Sequence, residues 1–188
     1  GLAAVEIGGK WGYIDKTGKY VINPQFDWAG RFSEGLAAVE IGGKWGYIDK
    51  TGKFVINPQF DWAGPFSEGL AKVCIGRNMD PGNMKVVYAE KAETIVDLHK
   101  KYGYIDKTGK YVINPQFVEA ESFSEGLARV YMGGADGRYG YIDKTGKLVI
   151  NPQFEKAGSF SEDLARVKIG DKLGYIDKTG KYVWNPQN

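Results

Sequence analysis

One eight-residue phrase, Gly-Tyr-Ile-Asp-Lys-Thr-Gly-Lys, constrains this chain more than any other feature of its sequence. Successive copies begin 34, 57, 37 and 34 residues apart, at Gly12, Gly46, Gly103, Gly140 and Gly174. Self-similarity at this period is typical of repeat proteins, in which each unit buries its core against its neighbours. We therefore expect one repeat array, with units at about 1–34, 35–68, 69–125, 126–162 and 163–188.

The first unit predicts three antiparallel strands. Apolar and other residues alternate along 2–7, which indicates a half-buried strand. The Gly8-Gly9 pair that follows is a turn signal, and aromatic and β-branched residues in 10–15 predict a second strand. The turn at Asp15-Lys16-Thr17-Gly18 suits a hairpin with a bulge, which leads into a third strand at 19–22.

The remainder of the unit predicts a return to the start of the next repeat. Pro24 has no amide donor and holds Asn23 extended, so we expect the third strand to stop there. Residues 25–34 read as an irregular return segment pinned to the core by apolar anchors, namely Phe26, Ala29 and Phe32. The fold class is therefore all-β. We expect units stacked in an open, elongated, solenoid-like array, with a closed five-bladed propeller-like ring as the alternative.

Two strand positions vary between the units. The first holds Ala4, Ala38, Lys72, Arg129 and Arg166, and the second holds Glu6, Glu40, Cys74, Tyr131 and Lys168. Because these positions alternate with the apolar set, we expect them to face solvent. Lys72, Arg129 and Arg166 would then form a basic stripe. This stripe is either a solvated strand face or a contact for an acidic protein, a glycan or a nucleic acid backbone.

Trp28 and Trp62 occupy one equivalent position in adjacent units, where later units carry Glu119 and Lys156. A buried site would not tolerate a charge in place of an indole, so both tryptophans are expected to be partly exposed. They are either peripheral packing or part of a binding surface, because Trp is enriched at interaction hot spots and also suits sugar stacking. The candidate binding surface consists of Trp28, Trp62, Lys72, Arg129, Arg166 and Tyr131.

An insertion at about 76–100 interrupts the third unit. Its start is rich in turn-forming residues, residues 84–89 read as a strand, and the stretch that follows has helical spacing. The insertion is expected to project from one edge of the array and is an alternative location for the binding contact. A smaller insertion lies at 133–138.

Catalytic chemistry finds little support in the sequence. Cys74 is the only cysteine and His99 the only histidine, so neither a disulfide nor a cysteine zinc cage can form within the chain. Asp-Lys-Thr-Gly is also the phosphorylation sequence of P-type ATPases, but each copy here is followed by Lys, where those enzymes carry Thr. We therefore predict no catalytic residue, no metal site and no cofactor.

The composition narrows the classes of partner. A net charge of +2 gives no indication of binding to nucleic acid or to an acidic membrane. Apolar runs extend over only a few residues, far fewer than the roughly 20 needed to cross a bilayer. We therefore expect no insertion into a membrane.

Lys10-Trp11-Gly12-Tyr13-Ile14-Asp15 and its copy starting at Lys44 are each followed by Thr-Gly and later by Phe-Ser-Glu-Gly-Leu-Ala. This pattern resembles the bacterial WG-repeat family, also called KWG, over nearly the whole chain outside the insertion. Tyr102, Tyr139 and Leu173 replace the name-giving Trp in later units, so this position reads as apolar packing. The resemblance implies a non-catalytic scaffold that binds a protein or a glycan. The alternative is a structural segment that assembles with itself within a larger surface or filament protein, and a cell-envelope or secreted location is favoured over the cytoplasm.

Overall fold

The structure, a computed structural model, describes residues 1–76, 100–133 and 137–185. These residues form an all-β protein of small antiparallel sheets, each of three or four strands, and none of the sheets closes into a barrel. The predicted fold class is therefore confirmed. The strand and helix predicted within the insertion lie on residues 77–99, outside the described residues.

The strands fall into five consecutive sheets. Sheet 1 contains β1 (Ala3–Ile7), β2 (Lys10–Ile14) and β3 (Tyr20–Phe26), and sheet 2 contains β4 (Trp28–Ala29), β5 (Ala37–Ile41), β6 (Lys44–Ile48) and β7 (Phe54–Phe60). Sheet 3 contains β8 (Trp62–Ser67), β9 (Leu70–Ile75), β10 (Lys101–Ile105) and β11 (Tyr111–Phe117). Sheet 4 contains β12 (Glu119–Ala120), β13 (Ala128–Met132), β14 (Arg138–Ile142) and β15 (Leu148–Phe154). Sheet 5 contains β16 (Lys156–Ala157), β17 (Ala165–Ile169), β18 (Lys172–Ile176) and β19 (Tyr182–Trp184).

The return segment is more ordered than the sequence predicted. In sheet 2 its residues Trp28 and Ala29 form the short edge strand β4, which pairs with Glu40 and Val39 of β5. The same arrangement recurs in sheets 3, 4 and 5. Each of these sheets therefore takes its first strand from the end of one repeat and its remaining strands from the next repeat. Neighbouring repeats are joined by backbone pairing as well as by side-chain packing.

The prediction that the third strand ends at Asn23 was wrong. Strand β3 continues to Phe26, which pairs with Trp11, while Ile22 pairs with Tyr13. Two residues of β2 thus span four residues of β3, and the additional residues form a bulge. Pro24 lies within this bulge, where its missing N–H removes no regular ladder bond.

The bulge explains the glycine that follows Trp11. A Cβ placed on Gly12 would lie 2.5 Å from the carbonyl oxygen of Ile22 and 2.6 Å from the nitrogen of Pro24. Gly46, Gly103 and Gly140 meet the equivalent backbone atoms at 2.5–2.8 Å. The recurrence of Trp-Gly or Tyr-Gly with Asn-Pro therefore has one physical cause, because the bulged strand lies directly against the glycine.

The aspartate of the repeated phrase organises the β2–β3 turn, as the sequence predicted. The Asp15 carboxylate accepts hydrogen bonds from the backbone N–H and hydroxyl of Thr17 and from the N–H of Lys19. Gly18 supplies the left-handed residue, with φ of 83°. The hydrogen bonds from Thr17 lower the pKa of Asp15, and the same arrangement and direction are found at the four later copies.

The hydrophobic core lies between consecutive sheets rather than within a single sheet. Tyr13 and Phe26 of sheet 1 pack with Val39 and Ile48 of sheet 2, and equivalent clusters fill the later junctions. Within each sheet, therefore, the tyrosine of the repeated phrase faces the next sheet and the isoleucine faces the previous one. The predicted anchors Phe26 and Ala29 are buried, and Phe32 packs against the same cluster.

Hydrogen bonds reinforce each junction. The hydroxyl of Tyr47, which is completely buried, donates to the carbonyl of Gly64 in the next sheet at 2.7 Å. The hydroxyl of Ser33 donates to the carbonyl of Phe66 at 2.7 Å. The carboxylate of Glu34 accepts from the N–H of Gly69 and pairs with Lys107 at 3.0 Å. Equivalent bonds recur at later junctions. Because side chains of one sheet bond to backbone groups of the next, these bonds fix the position of each sheet relative to its neighbour.

The described part of the stack is open at its two ends. Ala37 and its equivalents in sheets 3 to 5 are buried, whereas Ala3 in sheet 1 is exposed. At the opposite end, Tyr175 is 40% exposed, although its four equivalents in the earlier sheets are at most 1% exposed. The outer faces of sheets 1 and 5 therefore remain uncovered.

Candidate functional site

A row of aromatic side chains runs along one margin of the stack. Consecutive ring centroids are 6.2, 4.9, 6.3 and 6.3 Å apart along the series Trp11, Trp28, Trp45, Trp62 and Tyr102. We call these five residues the aromatic edge. Trp28 and Trp62 lie on the first strands of sheets 2 and 3, and the other three lie on β2 and on its repeat equivalents β6 and β10, so the repeat itself generates the row. The spacing lies within the range of favourable aromatic contact.

The aromatic edge is partly open to solvent. Trp28 is 42% exposed and Trp62 is 37% exposed, as the substitution pattern predicted, whereas Trp45 is buried between them. In sheet 4 the position of Trp62 is taken by Glu119, whose carboxylate accepts a hydrogen bond from Tyr139 at 2.6 Å. The edge therefore changes from aromatic to charged along the stack.

Lys72 and Arg129 do not form the solvent-facing stripe that the sequence predicted. The Lys72 ammonium enters the junction between sheets 3 and 4, where it donates to the carbonyl of Ala120 at 2.6 Å. Arg129 enters the next junction and donates to the carbonyl of Ala157 at 2.6 Å. The reason is that this strand position faces the next sheet rather than solvent. Arg166 is exposed because it belongs to sheet 5, which no described sheet follows.

Both of these largely covered cations lie against aromatic rings. The Lys72 nitrogen lies 5.1 Å from the ring centroid of Trp62 and 5.4 Å from that of Tyr102, within the range of cation–π attraction. Burial lowers the pKa of Lys72, and Glu121, whose carboxylate lies 3.6 Å away, opposes this shift. The Arg129 guanidinium lies 4.7 Å from the Tyr139 ring.

Three further residues at the variable positions also differ from expectation. Cys74 is buried rather than exposed, because it pairs across the sheet with both Trp62 and Tyr102. Tyr131 is half-buried, and its ring lies 5.0 Å from that of Tyr139. Ala38 is likewise buried. The structure thus brings Trp28, Trp62 and Lys72 together, places Arg129 and Tyr131 in sheet 4, and leaves Arg166 apart from both groups.

A cavity of about 490 Å³ lies between sheets 2 and 3 beneath the aromatic edge. Its indole walls come from Trp28, Trp45 and Trp62, and Ala38 and Ala63 also line it. The remaining lining residues are Gly30, Arg31, Ser33, Gly64 and Pro65. The surface is predominantly apolar, and the volume is within the range of small-ligand pockets.

The strand patterns of the sequence did not predict this cavity, although the repeats contain a signal for it. Ala38 is the equivalent of Lys72, and Gly64 is the equivalent of Glu121. Both partners of the Lys72–Glu121 ion pair in one junction are thus replaced by small residues in another. Reading the two positions together would have indicated an open space in the junction between sheets 2 and 3.

The residues that the structure describes were also compared with the requirements of metal sites and membrane-spanning helices. Among them, no group of three or more His, Cys, Asp and Glu side chains is placed to hold a metal ion. None of the described segments is a helix with the length and apolar character needed to span a membrane. His99 lies outside the described residues, so the pairing of Cys74 with His99 is not tested.

Comparisons with known proteins agree with the repeat architecture. The family described as WG containing repeat matches at residues 11–45, 45–78, 102–134 and 139–172. Comparison with curated proteins gives no significant match. A solved WD40 β-propeller domain of Doa1 is similar with a TM-score of 0.43 and 14% identity, over 98% of this chain and 64% of that one. The chain thus spans less than two thirds of that structure, and a similarity this low supports no argument about function. The four family matches cover most of the chain, which therefore belongs to the family of WG-containing repeats.

Proposed function

We propose that this chain is a non-catalytic repeat scaffold that binds a protein partner through the aromatic edge. The observation that supports this proposal is the row of rings from Trp11 to Tyr102, with two indoles about 40% exposed. Exposed, closely spaced tryptophans suit an interaction surface, because indoles bury a large apolar area at a low entropic cost.

The arrangement beneath the rings favours a binding role over a purely packing role. Trp45 and the sheet backbones hold the exposed rings in place, so little conformational entropy is lost when a partner covers them. Trp28 and Trp62 also lie on edge strands, and the equivalent strands of sheets 4 and 5 form with Glu119 and Lys156. The fold therefore does not require an indole at this position.

The test replaces the two exposed rings with the residues found at the same position in later repeats. A Trp28→Glu, Trp62→Lys double variant should remain folded and lose partner capture. The matched control is Val21→Glu, Val55→Lys, because these valines are each 45% exposed and lie on different strands. Proteins captured from the source cells by the wild type and the control are purified and tested directly for binding to all three proteins.

Loss of direct binding only in the tryptophan variant, with an unchanged melting temperature, is the expected result. Equal binding by all three proteins would show that the partner site lies elsewhere. A fall of several degrees in the melting temperature of the tryptophan variant would show instead that the rings serve packing. If the wild-type chain captured glycans and no proteins, the partner would be a carbohydrate and not the protein that we propose.

Self-assembly is a second candidate, and the uncovered face of sheet 5 favours it. Leu173 and Tyr175 are 41% and 40% exposed there, whereas the tyrosines equivalent to Tyr175 are buried in the earlier sheets. A second copy stacked on this face would bury them. Sedimentation velocity over a hundredfold concentration range tests the idea, and a concentration-independent monomer would exclude it for this chain.

A further inference from the structure

We propose that the cavity between sheets 2 and 3 receives a lysine side chain from the partner protein. This inference rests on the proposed function, because the cavity opens beneath the aromatic edge. The supporting observation is that the chain itself fills the equivalent space elsewhere. Two other junctions of the same stack hold a basic side chain of the chain itself at the repeat-equivalent place.

The junction between sheets 3 and 4 shows what the cavity is built to hold. There the Lys72 ammonium lies against the rings of Trp62 and Tyr102 and donates to the carbonyl of Ala120. Its side chain is only 13% exposed, so the stem is covered along with the charge. The next junction repeats the arrangement with Arg129.

The walls of the cavity correspond position by position to those around Lys72. Trp28 and Trp45 take the places of Trp62 and Tyr102, and Ala63 takes the place of Ala120. Two side chains differ, because Ala38 stands where Lys72 would be and Gly64 stands where its ion-pair partner Glu121 would be. Truncation of the lysine side chain leaves its volume open, and a stem and ammonium entering from outside would fill it.

Electrostatic complementarity supports a cationic occupant. The faces of indole rings carry negative potential, and Trp provides the most favourable face for an ammonium. Trp62 contributes a third indole at the place where sheet 4 carries Glu119. A lysine stem also matches the predominantly apolar lining, because its methylene groups pack on rings while its charge reaches a carbonyl.

Arg31 gives the proposal a sharp test. This residue is exposed and lines the cavity, so its charge opposes an entering ammonium. Replacing Arg31 by Ser, the residue found at this position in the two following repeats after Pro65, removes that repulsion. Lysine binding should therefore strengthen in Arg31→Ser, whereas binding of an anionic ligand would weaken.

The probe is Nα-acetyl-lysine amide, compared with Nα-acetyl-norleucine amide, which has the stem without the ammonium, and with Nα-acetyl-glutamate amide. Binding is followed at millimolar concentrations by indole N–H chemical shifts in two-dimensional NMR. The lysine probe should bind roughly tenfold more tightly than norleucine, as expected for a partly desolvated cation on indole faces. Glutamate should show no saturable shift.

Ala38→Lys should abolish binding of the lysine probe, because the new side chain occupies the cavity from within. Ala4→Lys, the same change at the equivalent position of sheet 1, is the matched control and should retain binding. A melting curve for each variant verifies folding. If Ala38→Lys does not fold, the Arg31→Ser comparison still decides the question, since that exposed substitution leaves the core untouched.

Equal binding of lysine and norleucine would overturn the inference, as would weaker lysine binding in Arg31→Ser. Neither result would affect the proposed function if the tryptophan variant still loses its partner. Conversely, selective lysine binding with unchanged partner capture in the tryptophan variant would refute the proposed function and leave only the lysine selectivity of the cavity.

Discussion

Substitution of Gly46 by Ala tests the reason for the glycine in the Trp-Gly pair. The added Cβ would meet the carbonyl oxygen of Ile56 at 2.5 Å, the nitrogen of Pro58 at 2.7 Å and the carbonyl carbon of Asn57 at 2.9 Å. Ordinary contact begins at 3.4 Å, so the bulged backbone of β7 would have to move by about 0.9 Å. All three atoms belong to the backbone, and no side chain can rotate away.

Overpacking of a well-packed core costs about 1–3 kcal/mol and occasionally more. Because the obstacle here is backbone in the ladder between β6 and β7, we expect Gly46→Ala to reach the upper end, about 3 kcal/mol or more. At roughly 2–4 °C per kcal/mol for a chain of this size, the melting temperature should fall by about 6–12 °C. The assay is thermal and urea unfolding followed by circular dichroism and tryptophan fluorescence.

Gly43→Ala is the matched control. Gly43 lies in the adjacent hairpin turn with φ of 73°, and nothing lies within 4 Å of the added Cβ. Its substitution therefore costs only the strain of a left-handed backbone, about 1–2 kcal/mol. A Gly46→Ala variant no less stable than Gly43→Ala would refute the argument that the bulge and the glycine require each other.

Three further changes test the junctions and the turns. Tyr47→Phe removes the donor to the buried carbonyl of Gly64 and should lower the free energy of unfolding by about 1–2 kcal/mol in urea titrations, whereas no change would mean that the hydroxyl makes no net contribution. Lys72→Met introduces an apolar side chain of similar length and removes the charged hydrogen bond between sheets 3 and 4. It should lower the free energy of unfolding by about 1–3 kcal/mol in the same titrations. A more stable variant would show that desolvation of the ammonium outweighs its bonds. Acid should destabilise the turns: hydrogen bonds from Thr51 hold the folded-state pKa of Asp49 below its ordinary value of 3.8, so their contribution is present above about pH 4 and is lost as the pH falls through the lowered value. The urea midpoint should therefore decline below pH 4, and less steeply in Asp49→Asn; identical pH profiles would contradict this account.

The sequence by itself determined the architecture of the repeat. The fivefold phrase, the Gly-Gly hairpin and the Asp15 turn are local features, because their conformations depend on residues within a few positions of one another. Exposure of Trp28 and Trp62 also followed from the sequence, since a charge replaces the ring in later units. The alternation along each strand predicted the core positions correctly, but it did not predict which variable positions are covered.

The tertiary structure decided which variable positions are covered. Strand alternation separates two faces. In this stack, however, both faces of an inner sheet pack against another sheet, so neither face is fully exposed to solvent. Lys72, Arg129 and Cys74 are therefore buried to different extents, although period-two alternation predicted exposure. Pro24 was misleading for a related reason, because a strand can continue past a proline when its partner carries a glycine that accepts the bulge.

The candidate site depends on contacts between repeats that no single unit encodes. The residues of the aromatic edge lie 17 residues apart in the first two sheets, and ring contact arises only when the return segment becomes the first strand of the next sheet. The cavity at Ala38 exists only because sheet 3 faces it across a junction. A small residue in the sequence can mean tight packing or empty space, and the position of the neighbouring backbone decides between them.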